Sequence, residues 1–472
     1  MHRLFTLIIM ILLVSCNRPP ENNPGKDDGT GIMAEGWITS PQKGVLFTKH
    51  AGELEFIATA NTDPTIVIDT TQRFQEIDGF GNCLTGGSAI LLNKMLLAER
   101  TVLLRELFSN EGNGIGISYL RITIGASDLS DRVFTYCDLP AGETDPQMER
   151  FSIEPEKSDL IPVLKEILAI NPSLKIMGSP WTAPLWMKTN NASVGGSLKH
   201  EWFDAYAKYF VKYIQAMKEE GITIDAITVQ NEPLHGGNNP SMVMTAEDQA
   251  LFIRQNLGPA FAAAGITTKI IIYDHNADRT DYPLTVMNDA GARQYIDGSA
   301  FHLYGGSIDA LTAVHDAFPS KNLYFTEQWV GGPGNLAEDL KWHVENLIIG
   351  ATRNWCRNVI EWNLASDPSY DPHTEGGCDR CLGTVTLSGN SVTRNPAYYI
   401  LAHAAKHVRP GSVRVATNTP GNLPNVAFIT PEGKKVLIVV NTTPDKRNFN
   451  VKFRGNALPL SLDGGAAGTW TW

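Results

Sequence analysis

Basic residues are scarce in this chain relative to acidic residues, and long apolar runs are nearly absent. Lys and Arg number 39 against 50 Asp and Glu in 472 residues, which gives a formal net charge of −11. A nucleic-acid partner is therefore excluded, because binding phosphates requires a concentrated basic surface. Beyond the N-terminus, charged residues, Gly or Pro interrupt each apolar stretch before it is long enough to cross a bilayer.

Cysteine is sparse and follows no disulfide-scaffold or metal-binding pattern. Apart from Cys16, five of the six cysteines remain, and an odd number leaves at least one thiol unpaired. Cys378 and Cys381 form a C-x-x-C motif, but no second set of Cys or His at metal-ligand spacing accompanies it. We therefore expect no metal and no cofactor. The motif is interpreted either as a disulfide within a loop or as two plain thiols.

The one long apolar run, residues 4–14, lies at the N-terminus. It has the length of the hydrophobic region of a secretory signal peptide and is too short to span a membrane. It leads to Cys16, whose surroundings resemble a bacterial lipobox; the alternative is an ordinary secreted protein with an unrelated cysteine here. We predict a signal peptide over residues 1–15 and a lipoprotein tether over residues 16–36. The expected product is exported and lipid-anchored, on the periplasmic or external face of the outer membrane.

Short apolar, β-branched runs alternate with helical stretches through the body of the chain, which favours parallel strands with crossover helices. The eight expected strands cover residues 76–81, 119–125, 174–181, 226–233, 269–276, 298–304, 323–329 and 359–365. The expected helices cover residues 88–107, 158–170, 200–220, 246–264, 308–317 and 336–352. We therefore predict an α/β fold, a (β/α)8 TIM barrel over residues 73–396. An open doubly wound sheet is the alternative, but no glycine-rich dinucleotide motif follows the first strand.

Both flanks of the barrel region alternate apolar and polar residues and contain turn residues, which favours antiparallel strands. They cover residues 37–72 and 397–472. Because the two flanks lie at opposite ends of the chain, we predict one β-sandwich domain that is built from both and attached to the barrel.

Two glutamates follow apolar runs at the strand ends where barrel enzymes gather their active-site groups. Glu232 follows the fourth run, beside Asn231, and Glu327 follows the seventh. Strands four and seven face each other across a barrel mouth, so the two carboxylates are predicted to converge on one glycosidic bond. A separation of about 5 Å would serve a retaining double displacement, whereas about 6.5–9.5 Å would admit an inverting water.

Several motifs together resemble glycoside hydrolase family 30, which includes lysosomal glucocerebrosidase and microbial β-1,6-glucanases. They include RITIGASD at residues 121–128, GSPWTAPLW at 178–186, QNEP at 230–233, FHLY at 301–304, FTE at 325–327 and EWNLA at 361–365. The resemblance implies a (β/α)8 barrel with a side β-domain that cleaves β-glycosides with retention. It also implies that Glu232 is the general acid/base and Glu327 the nucleophile. Because the acid needs a higher pKa than the nucleophile, their neighbours are expected to differ.

The resemblance assigns supporting roles to other residues of these motifs. Arg121 is expected to hold Glu327 ionised through a charge-assisted hydrogen bond, and Tyr304 is expected to donate to the same carboxylate. Six residues are expected to bind the sugar that precedes the cleaved bond: Asp128, Trp181, Asn231, His302, Tyr304 and Trp362. For His302, the alternative is a role in orienting a loop.

We predict a retaining glycoside hydrolase for β-glucosidic bonds, with β-1,6-glucan cleaved internally or from a chain end. Residues 367–383 contain the C-x-x-C motif and depart from the animal glucocerebrosidases, which argues against a ceramide glycoside. The alternatives are a glucosylceramidase or broad β-glucosidase and, outside the enzymes, a surface glycan-binding lipoprotein. A pure binder has no need of paired carboxylates. The expected partner is a β-glucan or β-glucoside, and membrane contact is expected only through the anchor.

Overall fold

A computed structural model describes residues 31–58 and 61–472. The predicted signal peptide and the predicted lipidation site, Cys16, lie outside these residues. Within the described residues, no helix combines the length and the apolar character that a membrane crossing requires.

Parallel strands close into the predicted barrel, with eight strands within residues 61–472. In chain order they are β1 Gly79–Leu84, β2 Tyr119–Thr123, β3 Lys175–Ser179, β4 Ala226–Thr228, β5 Lys269–Asn276, β6 Ile296–His302, β7 Asn322–Glu327 and β8 Cys356–Asn363. Strand β8 pairs with β1 and completes the closure. Six of the eight predicted strands extended too far at their carboxyl ends, because the strand pairing ends before the predicted last residue.

The barrel interior is filled with side chains. One buried cluster inside it consists of Tyr119, Met177, Ala226, Ile271, Ala300, Tyr324 and Ile360. A packed interior of this kind is typical of the fold and leaves the two ends of the barrel as the places where ligands can bind.

Helices surround the barrel. They are α1 Gly86–Lys94, α2 Leu97–Phe108, α3 Leu160–Ile170, α4 Phe203–Glu219, α5 Ala246–Phe252, α6 Gly258–Ala263, α7 Asp281–Asn288, α8 Ala290–Arg293, α9 Ala310–Ala317, α10 Leu336–His343 and α11 Pro396–Ala405. The helix predicted over residues 88–107 is two helices, because Met95 and Leu96 between them have extended backbone angles. π-helical turns at Ile253–Leu257 and Val344–Ala351 interrupt two other predicted helices.

The side domain takes strands from both ends of the chain, as predicted. Its sheet has the order Val45–Lys49, Met33–Ser40, Ala467–Thr471, Lys435–Val440, Asn425–Ile429, Val413–Thr417, Thr65–Glu76, Arg447–Phe453 and Asn456–Leu462, with Leu54–Glu55 paired to Met33–Ser40. Strand Met33–Ser40 begins inside the segment predicted as tether. The correction has a simple cause, since this strand pairs along its length with Ala467–Thr471.

Helix α11 connects the two domains. Its His403 lies between the hydroxyl groups of Thr39 and Thr469, at 2.8 and 2.9 Å. Burial lowers the pKa of His403 to about 3, so the ring is neutral and links two strands of the sheet to the barrel. The predicted boundary between residues 396 and 397 falls at the start of this helix.

Candidate active site

The carboxyl ends of the barrel strands surround a cavity of about 290 Å³. It is lined by Asp128, Trp181, Glu232, His235, Asn238, His275, Asn276, Tyr304, Glu327, Trp329, Trp362, Cys378 and Cys381. Six of the predicted site residues are among them. The other three, Arg121, Asn231 and His302, are buried and hydrogen-bond to residues of this cavity or to one another.

Strand β7 ends on Glu327 and places its carboxylate in the cavity, with the residue 6% exposed. Arg121 Nη1 donates to Oε2 at 2.6 Å, and the Tyr304 hydroxyl donates to Oε1 at 3.0 Å. Burial raises the pKa of Glu327, while the charges of His302 and Arg121 act against that rise. Both hydrogen-bond donors favour the ionised carboxylate, and the Arg121 contact is the one that the sequence analysis expected.

Glu232 lies beyond the end of β4 on backbone that is not extended. Its φ of 43° falls in the left-handed region, which costs a residue other than glycine about 1 kcal/mol or more. Its amide donates to the Asp274 carbonyl at 3.0 Å, and its own carbonyl accepts from the His235 amide at 2.8 Å. These bonds hold the strained turn that aims the carboxylate into the cavity.

His302 sits beside both glutamates and is fully buried. Its Nδ1 lies 3.2 Å from Glu232 Oε1, and its Nε2 lies 3.1 Å from Asp274 Oδ1. Burial alone would lower the pKa of His302, but Glu327 and the bonds to Asp274 and Glu232 raise it to about 9. The ring is therefore protonated at neutral pH and donates from both nitrogens. This corrects the predicted sugar-binding role, because the ring has no free nitrogen to offer a substrate.

The neighbours of the two glutamates differ, as expected, but their pKa shifts run opposite to the order that acid catalysis needs. Burial raises the pKa of Glu232, yet the hydrogen bond and charge of His302 outweigh this and lower it. The proton that an acid would carry is thus held in the Glu232–His302 pair, on the more basic partner. The two groups titrate together rather than singly.

The carboxylate separation is short. One ligand atom each from Glu232, His302 and Glu327 lie within 4.8 Å of one another. A retaining pair stands about 5–5.5 Å apart and an inverting pair about 6.5–9.5 Å. Hydrogen bonds connect Glu232 through His302 and Asp274 to Arg121, and Arg121 to Glu327, so both glutamates belong to one buried network.

Asp274 is a buried residue beneath the cavity to which the sequence analysis gave no role. It is fully buried and accepts from Arg121 Nη2 at 2.7 Å and from Thr326 Oγ1 at 2.6 Å. Burial would raise its pKa, but Arg121 and His302 hold it well below its usual range. The same Arg121 nitrogen donates to Asn231 Oδ1 at 2.7 Å. Asp274 lies near the end of the fifth apolar run, and this position is the sequence pattern that could have identified it.

Two tryptophans and one aspartate complete the predicted set. Trp181 and Trp362 stack with ring centroids 5.3 Å apart, and the Arg121 guanidinium lies 4.8 Å from the Trp181 ring. Trp181 is nearly inaccessible, so it presents only an edge to the cavity. Burial and the charges of Glu327 and Glu232 raise the pKa of Asp128 to about 7, against the lowering effect of two backbone N–H groups.

Comparison with known proteins identifies the family. Residues 77–408 match the model described as the glycosyl hydrolase family 30 TIM-barrel domain. Residues 411–470 match the model described as the family 30 β-sandwich domain. The chain belongs to glycoside hydrolase family 30. The predicted family, the predicted fold and the prediction of a glycoside hydrolase are thereby confirmed.

Relatives in family 30 differ in the substrates their names state. The chain is 35% identical to an endo-1,6-β-D-glucanase of Aspergillus fumigatus over 82% of this chain and 84% of that protein. The structure is similar to that of the endo-β1,6-glucanase BT3312, with a TM-score of 0.85 and 36% identity over 93% of this chain and 99% of that one. The chain is also 29% identical in sequence to the lysosomal acid glucosylceramidase of Mus musculus, over 80% of this chain and 78% of that protein.

Several residues of this family 30 cavity were not predicted. The loop after β4 contributes His235 and Asn238 to its wall, and the carboxyl end of β5 contributes His275 and Asn276. Burial lowers the pKa of His275 to about 4, so the ring is neutral beside Glu232. These residues form a polar wall on the Glu232 side of the cavity. The polar loop after the QNEP motif indicated such a wall in the sequence but not its individual residues.

The alternatives left open for the C-x-x-C motif are decided by the structure. Cys378 and Cys381 form a disulfide, and both line the cavity. Among the described residues, Cys83, Cys137 and Cys356 are buried free thiols. The disulfide is therefore part of the wall of the site.

Proposed function

We propose that this family 30 enzyme hydrolyses β-1,6-glucan internally and with retention of configuration. The observation that carries the proposal is the short separation of Glu232 and Glu327, whose ligand atoms lie within 4.8 Å at the mouth of the barrel. The substrate is inferred from two relatives named endo-1,6-β-glucanases, at 35% and 36% identity over most of the chain.

In the first step, Glu327 attacks the anomeric carbon and forms a covalent glycosyl-enzyme. Arg121 and Tyr304 donate to its two oxygens, so the carboxylate lone pair is oriented and its charge is stabilised before attack. Arg121 is in turn fixed by Asp274 at 2.7 Å. The nucleophile is thus preorganised by groups that do not themselves react.

Glu232 serves as the acid in this step and as the base in the next. It protonates the departing glycosidic oxygen, using the single proton that it shares with His302. In the second step, Glu232 as a carboxylate takes a proton from water, which attacks the anomeric carbon and releases Glu327. His302 Nδ1 lies 3.2 Å from Glu232 Oε1, so the shared proton reaches the departing oxygen through Glu232, and the pair regains a proton from the attacking water.

The remaining predicted residues surround the place of the sugar. Trp362 would underlie the ring, Asp128 would accept hydroxyl hydrogens, and Trp181 would bound the ring with its edge. Arg121 orients the Asn231 side chain, so its amide nitrogen is directed to the sugar 2-hydroxyl. Hydrogen bonds to that hydroxyl strengthen in the transition state.

The polar wall on the acid/base side favours a carbohydrate leaving group. His235, Asn238, His275 and Asn276 offer hydrogen-bonding groups there. A ceramide leaving group would require apolar surface to receive its chains. A glucan therefore suits this wall better than a glucosylceramide.

We further propose that the enzyme is exported and lipidated at Cys16, on the outer membrane. The support is the N-terminal apolar run and its lipobox-like end. Metabolic labelling with a radiolabelled fatty acid is expected to mark the wild-type protein and not Cys16→Ser. Equal labelling of both would contradict the anchor.

A three-substrate assay tests the catalytic proposal. The enzyme is incubated with a linear β-1,6-glucan, a glucosylceramide and an aryl β-glucoside, and the products are sized over time. We expect the glucan to yield oligosaccharides of mixed length early in the reaction. Release of glucose alone would overturn internal cleavage, and turnover confined to the glucosylceramide would overturn the substrate.

A further inference from the structure

We propose that the disulfide loop, residues 371–382 with the bond between Cys378 and Cys381, is a positioning element that holds the Asp128 carboxylate for the sugar. The inference rests on the proposed role of Asp128 in binding substrate. It assigns a function in substrate binding to a disulfide that would otherwise be taken as a structural crosslink.

The disulfide packs against the sugar-binding aromatic residues. Cys381 belongs to a buried cluster with Cys83, Leu129, Trp181 and Trp362, and Cys378 packs on its edge. Sulfur packs favourably against aromatic rings. A movement of the disulfide loop would therefore displace the two tryptophans and the neighbouring Asp128 together.

One side of the disulfide is attached to Asp128. The Thr374 amide donates to the Asp128 carbonyl at 2.9 Å, and the Thr374 hydroxyl donates to the same carbonyl at 3.3 Å. A Cβ placed on Gly377 would lie 2.4 Å from the Asp128 carbonyl, so the backbones are in direct contact. The Thr374 hydroxyl also bonds the Asn239 carbonyl, which links this side to the loop after β4.

The other side of the disulfide is attached beside the nucleophile. Cys381–Leu382 pairs with Val330–Gly331, which follows Glu327 by only a few residues. The Gly332 amide donates to the Arg380 carbonyl at 2.8 Å. The Cys378–Cys381 bond therefore fixes the spacing between one anchor at Asp128 and a second anchor beside Glu327.

Asp128 needs a fixed position because its surroundings oppose its charge. It is buried, and the carboxylates of Glu327 from β7 and Glu232 from the end of β4 face it. The N–H groups of Cys378 and of Asp128 itself are the opposing influences. If the disulfide is lost, the loop that contacts the Asp128 backbone is free to shift, so Asp128 should bind the sugar less well. It should also become protonated at higher pH, because the Cys378 N–H would no longer lower its pKa.

The test is steady-state kinetics of Cys378→Ser/Cys381→Ser on an aryl β-glucoside, which needs only the sugar site. We expect KM to rise about ten-fold, which is the size of effect expected when a hydrogen bond to a charged group is lost. The value of kcat should change little, because Asp128 would bind the sugar equally in the ground state and in the transition state. The acid limb of the KM profile should move to higher pH. A purely structural crosslink would lower thermal stability and leave that limb unmoved.

A double-mutant comparison makes the test specific to Asp128. In an Asp128→Asn background, the cysteine substitutions should add almost nothing to KM, because their route to the sugar is already removed. A full additional ten-fold rise there would overturn the proposal. So would an unchanged KM in the cysteine variant alone.

Reduction of the wild-type enzyme gives an independent measurement that needs no folding of a variant. A phosphine reductant converts the disulfide to two thiols, and KM should rise as in the double variant and return on reoxidation. The double variant is the control and should not respond. If the enzyme cleaves the aryl glucoside but not the glucan, the proposed substrate is wrong. The test of the disulfide remains valid in that case, because it uses only the aryl glucoside.

Discussion

The two ends of the barrel both hold charged cavities, but the charges are organised in opposite ways. The cavity at the amino ends of the strands is the larger, about 710 Å³ against about 290 Å³ at the carboxyl ends. At the amino ends, Arg357 pairs with Asp78 at 2.7 Å, and Lys175 pairs with Asp225 at 2.9 Å. Each acid there has a basic partner, and much of the cluster meets solvent.

At the carboxyl ends, the described part of the chain buries an excess of acid. Of four buried carboxylates there, Glu232, Asp274 and Glu327 pair with Arg121 or His302. The fourth, Asp128, faces the charges of Glu327 and Glu232. Such a set cannot be fully ionised without cost, so at least one proton is retained and its location responds to ligands. The comparison teaches that buried charge imbalance, rather than cavity volume, identifies the chemical end of this barrel.

The largest expected effect comes from removing the reactive carboxylate, Glu327, from the buried excess of acid. Glu327→Gln removes the nucleophile while keeping its shape, so kcat/KM on an aryl β-glucoside should fall more than about 10,000-fold. Asp225→Asn is the matched loss of a carboxylate at the amino end and should retain activity within about two-fold. Comparable losses in both variants would mean that the comparison of the two ends is wrong.

Glu232→Gln should have the next largest effect, and its size should depend on the leaving group. General acid catalysis contributes about 100- to 10,000-fold, and a glucan leaving group needs the full amount. An aryl glucoside with an acidic phenol needs no proton to depart, so formation of its glycosyl-enzyme should be nearly unaffected. Pre-steady-state release of the phenol measures this step. Equal impairment of both substrates would contradict the assignment of the acid.

His302 gives a pH prediction with a definite sign. In the wild type, the Glu232–His302 pair keeps its proton up to the raised pKa of His302, about 9, so activity should fall only above that pH. In His302→Asn, Glu232 alone must hold the proton, and the alkaline limb of kcat should move to lower pH. His403→Asn removes another buried histidine, far from any carboxylate partner, and should leave the limb in place. An unmoved limb in His302→Asn would refute the shared proton.

The sequence predicts the barrel well because buried parallel strands are continuous apolar runs, and each run ends in the polar residues that form the site. The position of Glu232 follows from this pattern, but its left-handed backbone does not. Asp274 was missed because its role depends on Arg121, which lies 153 positions away in the chain. His302 was placed at the correct rim, yet its inward orientation depends on packing that one sequence does not reveal.

The smallest expected effects lie at the amino end and concern stability rather than activity. Arg357 is largely buried with Asp78, at 17% and 13% side-chain exposure, so Arg357→Met should lower the free energy of unfolding by about 1–3 kcal/mol. Lys175 is 44% exposed, and Lys175→Met should cost less than about 1 kcal/mol, because solvent and salt screen its pair. Denaturant unfolding measures both, and kcat/KM should stay at the wild-type value in each. A fall in kcat/KM for a folded Arg357→Met would show that the balanced end also takes part in catalysis.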